Sequence, residues 1–174
     1  MPVRVAINGF GRIGRTVYRI LADRTDVEVV AINDLADNRT LAYLLKYDTV
    51  MGRFKGEVRV EGEMLVAGQQ RTRMLEIPNP AELPWKQMEV DVVVEATGRF
   101  RRREQLELQI AAGAKRVILT VPSKDDIDNT IVIGVNEASL EPGHRIVSNA
   151  SCTTNCLAPV AKVLHERFGI VKGI

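Results

Sequence analysis

The chain has 174 residues, of which 45% are hydrophobic and 26% charged, and its 24 basic and 22 acidic side chains leave a formal net charge of +2. This composition suits a globular protein that buries roughly 70% of its unfolded surface without staples, and so balanced a charge gives no ground for nucleic acid or membrane as a main partner. Two cysteines exclude a disulfide scaffold, no apolar run approaches the ~20 residues of a membrane span, and no basic-then-apolar leader opens the chain, so the reducing cytoplasm is the expected compartment.

Strand-like and helix-like segments alternate from the start. "VRVAIN" (3–8) predicts a strand. "GRIGRTVYRILADR" (11–24) predicts a helix with Ile13, Val17, Ile20 and Leu21 on its apolar face. "VEVVAIND" (27–34) predicts a second strand. "DNRTLAYLLKYD" (37–48) predicts a helix capped by Asp37 or Asn38, with Leu41, Leu44 and Leu45 on one side. Between about 50 and 90 the rhythm changes to short β-rich pieces separated by turn glycines, which predicts a small antiparallel excursion. "DVVVEATG" (91–98) restores a continuous apolar strand, expected where both sheet faces are covered. A helix over 101–114 ending at Gly113 follows, then strands in "KRVILTVPS", "NTIVIGVN" and "RIVSNA", a helix in "CTTNCLAPVAKVLHERFG" closed by Gly169, and a strand beginning in "IVKGI". Strands alternating with helices imply a doubly wound, mainly parallel sheet with helices on both faces.

"INGFGRIGR" carries Gly9-x-Gly11-x-x-Gly14 at the junction of the first strand and helix, and the second strand ends in Asp34, 20 residues past Gly14. That context makes it a dinucleotide-binding fingerprint of the Rossmann type. Gly9 serves a tight turn, Gly11 lets the backbone approach a pyrophosphate, and Gly14 lets the helix pack close to the strand. The helix N-terminus offers free N–H groups and partial positive charge to phosphates. Asp34 is placed to accept from ribose hydroxyls and would repel a 2′-phosphate, which favours NAD over NADP. Thr97 and Gly98 end one strand and Thr120 another, where open α/β sheets bind ligands.

Both cysteines lie in "SNASCTTNC". Cys152 and Cys156, four apart, share one face of the predicted helix. With no second cysteine pair and no clustered histidines, no metal site is expected. Cys152 stands in the first helical turn, whose free N–H groups favour negative charge, and Ser151, Thr153 and Thr154 crowd the same end with hydroxyls that suit phosphate or an oxyanion. Cys156, one turn deeper, reads as a small buried hydrophobe. Spacing leaves open a reactive Cys152 or two inert thiols.

The ordered segments "INGFGRIGR", "AINDL", "LLKYDTVMGRF", "VVVEATGRF", "AAGAKRVILTVPSK" and "IVSNASCTTNCLAPVAKVL" resemble the N-terminal half of the phosphorylating glyceraldehyde-3-phosphate dehydrogenases, over almost the whole chain. The resemblance implies an NAD-binding domain over 1–150 and the start of a catalytic domain over 151–174. It implies that Cys152 attacks the substrate aldehyde, that a thioester follows, and that inorganic phosphate releases an acyl phosphate, with Ser151 and Thr153 holding phosphate. It also implies that Arg12 and Ile13 contact NAD beside the glycine loop flanked by Asn8 and Phe10, that Asp34 holds the ribose, and that Thr97, Gly98 and Thr120 line the groove. The resemblance implies a homotetramer for the full-length enzyme. The sister erythrose-4-phosphate dehydrogenases share most of these motifs, and a non-catalytic NAD-binding, redox-sensing module is the alternative outside the enzyme class. Neither His144 nor His165 occupies the family's catalytic-histidine motif, so turnover by this chain is an open expectation. Pro78 stands where relatives often carry arginine near the adenine. The basic cluster of Arg99, Arg101, Arg102 and Arg103 reads as a solvated helix face.

Overall fold

The structure, a computed structural model, describes residues 1–173. In chain order it contains β1 (Val3–Asn8), α1 (Arg12–Leu21), β2 (Val27–Asn33), α2 (Asn38–Lys46), β3 (Val58–Glu61), β4 (Met64–Ala67), β5 (Gln70–Leu75), β6 (Val92–Glu95), α3 (Arg103–Ala111), β7 (Arg116–Leu119), β8 (Asn129–Thr130), β9 (Ile146–Ser148) and α4 (Cys152–Phe168). The nine strands form one sheet in the order β3-β4-β5-β2-β1-β6-β7-β9-β8. The pairs β3–β4 and β4–β5 are antiparallel and all the others parallel. The excursion expected at 50–90 is therefore this antiparallel edge, and its last strand joins the parallel sheet beside β2.

Alternation along the central strands sends apolar side chains to both faces. Val5 and Ile7 of β1 join Phe10, Tyr18, Leu41 and Leu45 in one core, beneath α1 and α2. Ala6 joins Trp85, Val93, Leu106, Val117 and Leu119 in the other, beneath α3. The β1–β2 register slips by one residue between Val5 and Ala6. Val29 and Ile32 consequently face the first core, while Val30 and Ala31 face the second.

Several elements differ from the sequence reading. On α1 Gly14 and Tyr18 are buried and Val17 and Leu21 pack partly buried against the core as expected, whereas Ile13 is 50% and Ile20 59% exposed. A glycine adds nothing to an apolar pattern, yet only glycine lets this helix lie close to β1. On α2, Asp37 is the cap, accepting from the Thr40 N–H at 2.8 Å. Leu41 and Leu45 are buried there, but Leu44 is exposed. "NTIVIGVN" forms only a two-residue strand at the sheet edge. Residues 169–173 form no strand, since no strand among the described residues lies beside them; Ile174 lies outside those residues.

Candidate functional site

β1, β2 and β6 run parallel and end level: Asn8 pairs with Asn33 on one side and with Glu95 on the other. The chain turns sharply beyond each of these ends, and a cavity of about 280 Å³ opens there, lined by Asn8, Gly9, Gly11, Asp34, Thr97 and Pro78 among others. This is the carboxyl edge of a parallel sheet, where such folds hold ligands.

The glycine loop has the close approaches that its spacing implies. Gly9 has φ of 93°, and a Cβ there would lie 2.5 Å from the Thr97 nitrogen. A Cβ on Gly14 would lie 2.1 Å from the Gly9 carbonyl oxygen. Gly11 differs: a Cβ would meet no protein atom within 4 Å, so its missing side chain leaves space in the cleft itself. Gly11 is also the N-cap of α1, and no side chain caps that helix end. The first backbone N–H groups of a helix have no intrahelical acceptor. An open, glycine-lined, uncapped helix start fits a pyrophosphate.

Asp34, just beyond β2, accepts from the Phe10 N–H at 2.7 Å through one oxygen and from the Ala36 N–H at 3.0 Å through the other. It ties the glycine loop to the neighbouring strand end while facing the cleft. Phe10 is fully buried, so only its backbone takes part here; its ring packs edge-on against Tyr18, with centroids 5.5 Å apart. Arg12, Ile13, Gly14, Gly98 and Thr120 do not line this cavity. The hydroxyl and N–H of Thr120 both donate to the Glu95 carbonyl, at 3.1 Å each. Arg101 and Arg103 are not free in solvent as expected: Arg101 donates to the Pro122 carbonyl, and Arg103 pairs with Asp128 at 2.7 Å.

Beneath the cleft lies a buried polar row of which the motif reading named only Asn8. Asn8, Asn33, Glu95 and Gln109 are all buried. Glu95 accepts from Asn8 at 2.6 Å, from Gln109 at 3.1 Å, from the Thr97 N–H at 3.0 Å and from the Thr97 hydroxyl. Burial pushes the Glu95 carboxyl above its usual range, against hydrogen bonds from Thr97, Asn8 and Gln109 that favour the charged form. A polar residue ending each of three adjacent apolar strands was the available signal.

The cysteine helix leaves the same edge. β6, β7 and β9 are successive neighbours, so at about 4.8 Å per strand the end of β9 lies roughly 10 Å from that of β6. Ala150, immediately before the helix, is held at φ of 55°, a left-handed conformation uncommon for a residue with a Cβ. Ser151 caps α4, its hydroxyl accepting from the Thr154 N–H at 2.9 Å and contacting the Thr153 and Thr154 hydroxyls at 2.9 and 2.6 Å. Cys152 is the first helical residue, free and exposed. Cys156 is also exposed, contrary to the buried neighbour expected, because nothing among the described residues covers that face of α4. His144 precedes β9 and so lies at the opposite end of that strand from Cys152. His165 is thirteen positions along α4, about 20 Å away. No cluster of potential metal ligands occurs among the described residues.

The family model described as "Glyceraldehyde 3-phosphate dehydrogenase, NAD binding domain" matches residues 3–103. The chain belongs to the glyceraldehyde 3-phosphate dehydrogenase family. The model of the same family's C-terminal domain matches residues 151–174. The glyceraldehyde-3-phosphate dehydrogenase of Thermotoga maritima is 56% identical over 173 residues, 98% of this chain and 52% of that protein. That of Geobacillus stearothermophilus is 54% identical over 175 residues. A Trypanosoma brucei brucei relative named as cytosolic is 53% identical over 174 residues. Each match spans 52% of the relative's length, so the chain covers about half of these proteins. NAD is the dinucleotide of the family's matched domain, and the glycine cleft with its acid fits it.

Proposed function

We propose that this chain is the cofactor-holding and nucleophile-bearing part of an enzyme that oxidises glyceraldehyde 3-phosphate with inorganic phosphate to an acyl phosphate. Residues 1–150 form the NAD domain, and 151–174 begin the catalytic one. The observation that carries the reading is that the glycine cleft and Cys152 open along one carboxyl edge of one sheet, a few strand widths apart.

Gly9, Gly11 and the start of α1, with Arg12 and Ile13, take the pyrophosphate; Asp34 takes the ribose; Asn8, Thr97, Gly98 and Thr120 continue the wall toward β9. NAD, when bound, supplies the hydride acceptor that side chains lack. The Cys152 sulfur adds to the aldehyde carbon, giving a hemithioacetal. Loss of hydride from that carbon, with loss of the hydroxyl proton, leaves a thioester. A phosphate oxygen then displaces the sulfur, releasing the acyl phosphate and restoring the thiolate. The hydroxyls of Ser151 and Thr153 and the free N–H groups of the first α4 turn hold phosphate beside the reacting carbon. The full-length enzyme is a cytosolic homotetramer on this reading; among the described residues no helix is long and apolar enough to cross a membrane.

The test is NADH formation from NAD, phosphate and glyceraldehyde 3-phosphate, with a full-length relative as control and NAD binding measured separately. Cofactor binding together with aldehyde-dependent acylation that Cys152→Ser abolishes supports the proposal. Faster turnover of erythrose 4-phosphate would move the substrate to the sister class. NAD binding with peroxide-sensitive labelling of Cys152 and no acylation would replace it with a redox-sensing module.

A further inference from the structure

The hydrogen bonds of the buried row are fixed in polarity at both ends, and from each end they run inward to Glu95. At one end the Ile77 N–H donates to Asn33 Oδ1 at 2.9 Å, and the Ile77 carbonyl accepts from Asn33 Nδ2 at 2.9 Å. A peptide cannot exchange its donor for its acceptor, so the Asn33 amide cannot flip. Asn33 Nδ2 also donates to Asn8 Oδ1 at 2.7 Å, which leaves Asn8 Nδ2 facing Glu95 Oε2 at 2.6 Å. At the other end the Trp85 indole, a donor only, donates to Gln109 Oε1 at 2.5 Å. Gln109 Nε2 therefore faces the same Glu95 oxygen, at 3.1 Å. Two donors of fixed polarity converge on one oxygen of a fully buried side chain, and only an acceptor satisfies them. The second oxygen takes both the backbone N–H and the hydroxyl of Thr97.

We infer that Glu95 is a positioning residue for the cofactor. Accepting from Asn8 on one oxygen and from Thr97 on the other, it holds the β1 and β6 ends of the cleft at a fixed separation and turns the Thr97 hydroxyl proton inward. The Thr97 oxygen, which also accepts from the Arg99 N–H at 3.1 Å, then presents its remaining lone pair toward the cleft. The inference rests on the cleft being the NAD site. Its chemical consequence is specific: a glutamine of the same shape cannot replace Glu95. The amide oxygen must stay on the Asn8 and Gln109 donors, so the amide NH₂ confronts the Thr97 N–H, donor against donor, and the strain falls on the cleft wall.

Calorimetric titration of NAD into the wild-type chain, Glu95→Gln, Thr97→Val, Thr97→Ser and the Glu95→Gln/Thr97→Val double variant tests this. Thermal unfolding of each variant and the indole N–H resonance of Trp85, the sole tryptophan, are recorded alongside. Glu95→Gln and Thr97→Val should each weaken NAD about tenfold, as the loss or mispairing of a buried hydrogen bond does. Thr97→Ser should bind as the wild type does, and the double variant no more weakly than Glu95→Gln. The Trp85 resonance, although its ring is outside the cleft, should shift on NAD binding in the wild type and not in Glu95→Gln. Folded Glu95→Gln binding within twofold of wild type overturns the inference, as do independent, multiplying effects of the two substitutions. Should Glu95→Gln not fold, wild-type affinity in Thr97→Val overturns it, and loss in Thr97→Val with rescue by Thr97→Ser supports it. A wild-type chain that binds no NAD overturns it together with the reading of the cleft, whereas binding by wild type and variants alike overturns this step alone.

Discussion

Gly11 and Gly14 lie three positions apart in one motif, and their surroundings separate their roles. A methyl at Gly14 would meet the Gly9 carbonyl oxygen at 2.1 Å and Ile7 Cγ2 at 3.2 Å, so α1 would have to move off the sheet. Gly14→Ala should cost about 2 kcal/mol or more and weaken NAD as a consequence. A methyl at Gly11 meets no protein atom, so Gly11→Ala should cost less than about 1 kcal/mol of stability, the difference between glycine and alanine at an N-cap, yet fill the space proposed for the cofactor and weaken NAD. Chemical denaturation beside NAD titration checks the pair; equal stability losses would mean that the two glycines share one structural role. The motif was legible because its spacing is tied to chain geometry. The buried face of α1 was legible only in part: Val17 and Leu21 pack against the core as expected, but its closest-packed residue, Gly14, has no side chain to register in an apolar pattern. The left-handed Ala150 before α4 had no sequence signal either, since only the fold around it sets its φ of 55°.

The same division holds for elements. Interior strands read correctly because both of their faces are covered; "NTIVIGVN" read as a strand although only Asn129 and Thr130 pair, because its apolar letters lie at an edge and Ile133 is 77% exposed. What holds that edge is a carboxylate rather than a core. Asp128 accepts from the backbone N–H groups of Arg145 and Ile146 at 2.7 and 2.9 Å and from the Arg103 guanidinium at 2.7 Å, joining β8, β9 and α3. Burial opposes its ionisation, but the Ile146 N–H, Arg103 and the Arg145 N–H outweigh that and hold its pKa at about 2, against an ordinary 3.8. A depressed carboxyl pKa gives stability that is complete above the unfolded value and lost as pH falls through the folded one. Asp128→Asn should therefore cost about 1–2 kcal/mol near neutrality. The deficit should shrink between about pH 4 and pH 2. Denaturant unfolding of both proteins across that range measures it, and a deficit independent of pH would assign Asp128 a packing role instead.

Across the whole molecule, stability is unevenly placed. The central strands sit between two apolar cores, with Ala6, Ile7, Val29, Ala31 and Val93 fully buried. α4, the longest helix described, buries none of its 17 residues, and Leu157, Val160, Val163 and Phe168 are exposed along it. Its ties to the rest of the chain are polar and lie mainly at its start: the Asn155 amide donates to the Asn149 carbonyl at 2.7 Å, and farther along Lys162 reaches the Gly134 carbonyl at 2.9 Å. Pro159 interrupts its backbone ladder, since it donates no N–H. A helix held by polar contacts and little apolar burial opens locally at a cost well below global unfolding. Amide hydrogen exchange on this chain should accordingly show β1, β2 and β6 exchanging only with global unfolding and the second half of α4 exchanging far faster. The first turn, where Ser151 caps the helix and Asn155 ties back to the sheet edge, should lie between. That order keeps Cys152 placed while the apolar length beyond it stays available for packing. Protection in Val163–Phe168 equal to that of β1 would show instead that α4 is held as firmly as the sheet, and its exposed apolar side would then need a covering partner even in the isolated chain.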